Sequence, residues 1–232
     1  MKKDLHCKDC EMVGKSIFCQ LEKESLHEVS THKHISFHKK GEVLFAEGSQ
    51  PEGLYCVHSG KVKLSSLSEQ GKNSILSIVA GGGLIGHKSL FTNNPYPATA
   101  TMLEDGEVCF LDKKFFFDFL KREPTVSMEL IVRLSKEIGA KNQSITGLTQ
   151  KTVRARLAAY LLDAVANFGK KRADGVEITV KLSREELASI VGTATETLIR
   201  LISEFKDEGY IKQDGKTIIV LELNKLKEIA SE

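Results

Sequence analysis

The stretch SREELASIVGTATETLIRLISEFKDEGYIKQDGKTIIV, residues 183–220, decides the fold of the C-terminal part. Ser183 and Glu186 form an S-x-x-E capping box, in which the Ser183 hydroxyl accepts from the Glu186 amide and the Glu186 carboxylate reaches back to the Ser183 amide. A helix therefore starts at Ser183. Leu187, Ile190 and Val191 make its apolar face, and Gly192 supplies a sharp turn. The next helix buries Leu198, Leu201 and Ile202, which leaves its first turn open to solvent. IKQ and TIIVL then flank Asp214-Gly215, a two-residue hairpin signal. Helix, helix and hairpin in that order predict a winged helix-turn-helix. The exposed turn carries Thr195, Glu196 and, one turn later, Arg200. Glu196 and Arg200 are four apart and share a face. A glutamate there can accept from cytosine N4, and an arginine can fork onto guanine O6 and N7. The same spacing also suits an ordinary surface ion pair.

Upstream, TQKTVRARLAAYLLDAVANFG reads as a helix ended by Gly169, KKRADG as a polar turn and ITVKL as a short strand. From Pro124 onward, Met128, Ile131, Leu134, Ile138, Ile145 and Leu148 follow a spacing of three, four and seven, which predicts one long amphipathic helix. Lys141 interrupts the stripe, so the seam is narrow. It suits a helix pair in a homodimer, or a helix lying on its own β domain. Between about His32 and Phe116 the runs VLFAEG, LYCVHSG, KVKLSSLSEQG, SILSIVAGGG and EVCFLD are separated by Gly41, Gly48, Gly53, Gly60, Gly71 and Gly81 to Gly83. That rhythm predicts a β-sandwich or closed roll with no intervening helix.

Thirty-three Lys and Arg against 31 Asp and Glu give the 232-residue chain a net charge of +2. This excludes a uniformly basic nucleic-acid coat protein, and any DNA contact must be local. From Lys171 to Glu232 ten Lys and Arg face twelve Asp and Glu, so Lys151, Arg154 and Arg156 just upstream are candidates for phosphate contacts. No apolar run approaches the ~18 residues of a membrane helix, and MKKDLHCKDC lacks a signal-peptide core, so a cytoplasmic protein with no membrane partner is expected. Five cysteines, with Cys7, Cys10 and Cys19 crowded near the start, argue for free thiols or metal ligands over a disulfide framework.

With a roll, a long helix and a winged helix in succession, the whole chain resembles the CRP/FNR family of bacterial transcription regulators. The most specific matches are VGTATETLIRLISEFKDEGYIKQDGKTIIV and GGLIGHKSLF. The resemblance implies an α+β protein with a Cys-containing arm at 1–20, a cyclic-nucleotide-binding-type β-roll (jelly roll) at 21–121, a dimerisation helix at 122–148 and a winged helix-turn-helix at 149–232. It implies a homodimer on a palindromic duplex with a TGA-like half-site core, and RNA polymerase as a partner. Glu196 and Arg200 match the family's base-reading pair. Ser183, Arg184, Ala194, Thr197 and Lys216 fall where members touch or approach phosphates. Thr195 stands where the cyclic-AMP receptor has an arginine, and Ile199 where the oxygen sensor has a serine, so the flanking bases stay open.

In nucleotide-binding members a G-E-L motif and a later Arg-Ser pair hold the ligand. The matching residues here are Gly86, His87, Lys88 and Ser89, followed by Pro97-Ala98. Losing the ribose-binding Glu and the phosphate-binding Arg argues against cyclic AMP. Lys88 is left as either an anion contact or a solvated turn lysine. Cys7, Cys10 and Cys109 match three ligands of the oxygen sensor's iron–sulfur cluster, with Ser16 at the remaining position and Cys19 three residues later, so the resemblance leaves the cofactor open, with a cluster on Cys7, Cys10, Cys19 and Cys109 as one reading. Buried, inert cysteines at 19 and 109, or zinc on the same set, are the alternatives. A rival of another class is a cupin-like metal enzyme, suggested by His32, His34 and His38 sharing one parity on a strand edge, with Glu42 and His58 nearby.

Overall fold

The computed structural model describes residues 7–67 and 73–232, which form two compact units. Residues 7–67 and 76–138 make the first. After two short 3-10 turns at Cys7–Asp9 and Val13–Lys15 come α1 (Lys23–His32), β1 (His34–His38), β2 (Val43–Phe45), β3 (Gly53–Val57), β4 (Lys61–Leu67), β5 (Asn73–Ala80), β6 (Leu84–Ile85), α2 (His87–Thr92), β7 (Thr99–Met102), β8 (Gly106–Asp112), α3 (Lys113–Arg122) and α4 (Pro124–Gln150). The strands form two four-stranded sheets, in the orders β1-β8-β3-β6 and β2-β7-β4-β5. The expected roll is therefore present, with α2 inside it where no helix was expected. Gly53, expected in a turn, opens β3, and Gly71 lies outside the described residues.

Strand alternation divides the first sheet's side chains between two cores. Val57, Ile85 and Val108 point toward the second sheet and pack with Val62, Ala100 and Met102. Leu54, Leu84 and Leu111 point the other way, against Ile17, Phe18, Val29, Phe116, Phe119 and Val126 of the arm and helices. Burial on both faces explains why these strands read as apolar runs rather than clean alternation. Asp112 stops the last strand and starts α3, because its carboxylate accepts the Lys114 and Phe115 amides as an N-cap.

Residues 139–232, together with 73–75, supply the second unit, with α5 (Val153–Phe168), β9 (Gly169–Arg172), β10 (Gly175–Ile178), α6 (Arg184–Val191), α7 (Thr195–Asp207), β11 (Ile211–Asp214), β12 (Thr217–Val220) and α8 (Leu223–Ala230). Its sheet runs β11-β12-β10-β9, with Asp214 paired to Thr217 across the wing turn. Two expectations fail here. KKRADG is the β9–β10 hairpin rather than a plain turn, and the strand expected at 178–182 ends at Ile178. Leu157, Ala158, Leu161, Leu198, Phe205 and Leu226 are fully buried. Each large side chain among them contributes about 1.5–3 kcal/mol.

Candidate nucleic-acid interface and thiol site

The capping box at the start of α6 is formed in both directions. Glu186 N donates to Ser183 Oγ at 3.1 Å and Ser183 N to Glu186 Oε2 at 2.8 Å. Leu187, Ala188 and Val191 are buried, so Ala188 joins the inner face where Ile190 was expected, and Ile190 is only half-buried. Gly192 ends the helix at φ +71°, a left-handed conformation that side-chain-bearing residues rarely adopt. It lets α7 leave at a sharp angle.

Leu198, Leu201, Ile202 and Phe205 hold α7 in the core and turn Glu196, Ile199 and Arg200 outward. Arg200 does not pair with Glu196. Its Nη1 donates to Glu204 Oε1 at 3.3 Å, one turn further on, while 70% of its side chain stays exposed. Thr195 and Thr197 are half-buried at the helix start, Ala194 is the exposed N-cap residue, Ser183 and Arg184 are half-buried at the start of α6, and Lys216 is exposed in the wing.

The upstream arginines are engaged in the fold. Arg154 donates to Glu208 Oε2 and Glu204 Oε2 at 2.5 and 3.4 Å and lies over the Phe205 ring at 4.8 Å. Arg156 donates to the carbonyls of Val191, Gly192 and Lys151 at 2.8, 2.9 and 2.9 Å. Lys151 Nζ donates to the Ala230 carbonyl. These three side chains brace the turn, α7 and the C-terminal helix α8, so the groups expected to be available for phosphates are engaged within the fold. No local sequence signal announces these long-range partners.

In the roll, Gly86 takes φ +85° before α2. His87 and Ser89 are buried, and neither ring nitrogen of His87 has a hydrogen-bond partner. Lys88 keeps more than half of its side chain in solvent, as a surface lysine would, and its Nζ also lies 2.8 Å from Glu137 Oε2. His87 Nε2 stands 3.6 Å from the same oxygen, too long for a hydrogen bond and close enough for charge to matter. Burial by itself would raise the Glu137 carboxyl, but His87 and Lys88 outweigh it and hold the group down at about 2. Tyr96 stacks on Phe45 with ring centroids 3.7 Å apart, and its buried hydroxyl lies without a hydrogen-bond partner beside Gly86.

The expected ligand set splits. Cys7, Cys10 and Cys109 line one cavity of ≈ 40 Å³, whereas Cys19 is exposed between the buried Phe18 and solvent. Cys56, which sequence reasoning left out, lines the cavity with them. Burial pushes the Cys56 thiol up, and the nearby Cys109, Cys7 and Cys10 add to the effect. Burial likewise raises Cys109 to about 11. Lys33 Nζ donates to Cys7 Sγ at 3.3 Å, and His58 Nδ1 lies 3.3 Å from Cys10 Sγ. Among the described residues no three His, Cys, Asp or Glu side chains converge closely enough for a single metal ion.

The histidines of the enzyme reading do not share a strand. His32 ends α1, with its ring stacked on Phe115, while His34 and His38 open and close β1. His38 is engaged by Ser36 and Glu42. Among the described residues no cupin-type set of three ligands gathers around these histidines.

A roll followed by the capped helix α6, the outward-facing helix α7 and a wing defines a DNA-binding transcription regulator. Residues 36–123 match the cyclic nucleotide-binding domain family, and residues 155–229 match the Crp-like helix-turn-helix domain. The chain belongs to the CRP/FNR family of transcription regulators. It is 27% identical over 230 residues to the fumarate and nitrate reduction regulatory protein of Vibrio cholerae, covering 97% of this chain and 90% of that one. It is 27% identical over 187 residues to the CRP-like cAMP-activated global transcriptional regulator of Mycobacterium tuberculosis, covering 81% and 84%. A CRP/FNR-family regulator from Thermus thermophilus superposes with a TM-score of 0.72 at 27% identity, over 86% of this chain and 99% of that one. No helix among the described residues is long and apolar enough to cross a membrane.

Proposed function

We propose that the chain acts as a homodimer on a palindromic duplex with a TGA-like half-site core, controlling transcription through RNA polymerase in response to a redox signal. The observation that carries this reading is the exposure of both Glu196 and Arg200 on the first turns of α7, with Arg154 bonded to α7 and Arg156 to the turn before it. Glu196 would accept from a cytosine and Arg200 would fork onto a guanine, while Ser183, Arg184, Ala194, Thr195, Thr197 and Lys216 lie against the backbone. Two-fold DNA needs a two-fold protein. Met128, Ile131, Ile138, Ile145 and Leu148 of α4 are each more than half exposed, and a second copy of the helix would cover them.

On the effector side, His87 and Pro97 replace the family's ribose and phosphate contacts, and Lys88 is bound to Glu137, so the roll is read as not taking cyclic AMP. The thiols lining one cavity fit the donor chemistry of an iron–sulfur cluster. When bound, such a group supplies an oxygen-labile centre. The chain's own part is to hold the arm, through Cys7 and Cys10, against the roll strand that carries Cys109. The test is a gel shift, with and without air, comparing a palindromic TGA duplex with a scrambled one. Selective binding that changes with air supports the reading, and equal binding to both duplexes refutes it.

A further inference from the structure

We infer that Cys56, not Cys19, completes the thiolate set, so that an iron–sulfur cluster is held two-plus-two by Cys7 and Cys10 of the arm and the cross-strand pair Cys56 and Cys109 of the roll. The inference rests on the cluster reading above and changes its ligands. Cys56 on β3 and Cys109 on β8 are register partners in an antiparallel pair. Residues directly opposite one another project to the same face. That face is the one Leu54 and Leu111 share, two residues away on each strand, and it is covered by the arm. Cys7 is fixed over it, since its amide donates to Ser30 Oγ at 2.7 Å, and Cys10 follows one 3-10 turn later, donating its own amide to the Cys7 carbonyl at 3.2 Å. Cys19 lies beyond Ile17 and Phe18, whose burial anchors that part of the arm and leaves the Cys19 side chain outside.

The position that would give a third arm thiol is Ser16, which also lines the cavity but carries only a hydroxyl. Cys56 supplies from the floor the thiol that Ser16 lacks in the arm. The number of donors is thereby kept at four. A mononuclear tetrahedral site needs sulfurs about 3.8 Å apart, as follows from Zn–S bonds of about 2.3 Å. A polynuclear group instead spreads its thiolates over several irons, which suits four thiols lining one cavity from two sides. Lys33 and His58 stand against the Cys7 and Cys10 sulfurs, and His58 Nε2 lies 3.7 Å from Glu107 Oε2. They are positioning residues that orient and stabilise thiolates.

The experiment is anaerobic reconstitution of the full chain with ferrous iron and sulfide, reading iron and sulfide per chain and the visible absorption. Wild type and Cys19→Ala should load equally. Cys56→Ala and Cys56→Ser, checked for native circular dichroism, should retain on the order of ten-fold less iron. Loss of iron in Cys19→Ala, with Cys56→Ser loading normally, would overturn the ligand assignment and leave the cluster reading standing. Wild-type protein that takes up neither iron nor sulfide would overturn both.

Discussion

Arg200 pairs with Glu204 rather than Glu196, and this leaves the Glu196 carboxylate exposed without a partner among the described residues. The Arg200–Glu204 pair is an exposed i,i+4 contact, worth about 0.3–0.5 kcal/mol, so the guanidinium can exchange it for a guanine at small cost. Glu196→Ala and Arg200→Ala should each weaken binding to a TGA palindrome by about 1–3 kcal/mol and change binding to unrelated duplex little. Glu204→Ala should leave the base preference intact. Titrations that show equal losses on both duplexes would assign the two side chains to positioning instead of reading.

The dimer seam makes a second prediction. Ile138 is 62% exposed in the single chain, so Ile138→Lys removes no internal packing and should leave the monomer folded. Inside a helix pair the same lysine would be buried without a counter-charge. The variant should therefore sediment as a monomer and lose operator binding together. A dimer of unchanged affinity would locate the interface elsewhere.

What was legible in the sequence was local. The Ser183 and Glu186 cap, the Gly192 turn and the Asp214-Gly215 wing each depend on residues within four positions, and each formed as read. The β9–β10 hairpin was missed because its strands are charged and exposed, and they pair through backbone groups that leave no apolar pattern. Cys56 was passed over because its relation to Cys7 and Cys10 spans more than 40 residues and exists only once β3 and β8 are in register. Lys88 and Glu137 are likewise 49 positions apart, so nothing in either neighbourhood foretells the ion pair.

Arg156 separates bracing from phosphate binding. Its three bonds to the carbonyls of Lys151, Val191 and Gly192 tie α5 to the turn that sets the angle of α7. Bonds from a charged donor contribute about 1.5–3 kcal/mol each and are not additive, so Arg156→Ala should destabilise the winged unit by about 3 kcal/mol. Urea unfolding measures this directly. Were Arg156 a phosphate contact instead, the midpoint would hold and the salt dependence of binding would fall by about one ion.

Glu137 gives a pH signature. Its carboxylate faces Lys88 at 2.8 Å, His87 at 3.6 Å and Arg133 at 3.9 Å, and its folded value of about 2 lies below the ordinary glutamate value of about 4.3. A carboxyl depressed on folding stabilises the protein fully above its unfolded value and loses that contribution as pH falls through the folded one. With its partial exposure allowed for, the contribution is about 2 kcal/mol at neutral pH. Glu137→Gln should therefore unfold more easily than wild type at pH 7, and the gap should narrow steadily from about pH 5 toward pH 2. Lys88→Ala should reproduce part of the loss, because it takes away the ammonium 2.8 Å from the carboxylate. Urea midpoints at pH 7 and pH 3.5 decide the matter. A gap that is the same at both would mean that Glu137 contributes through packing alone.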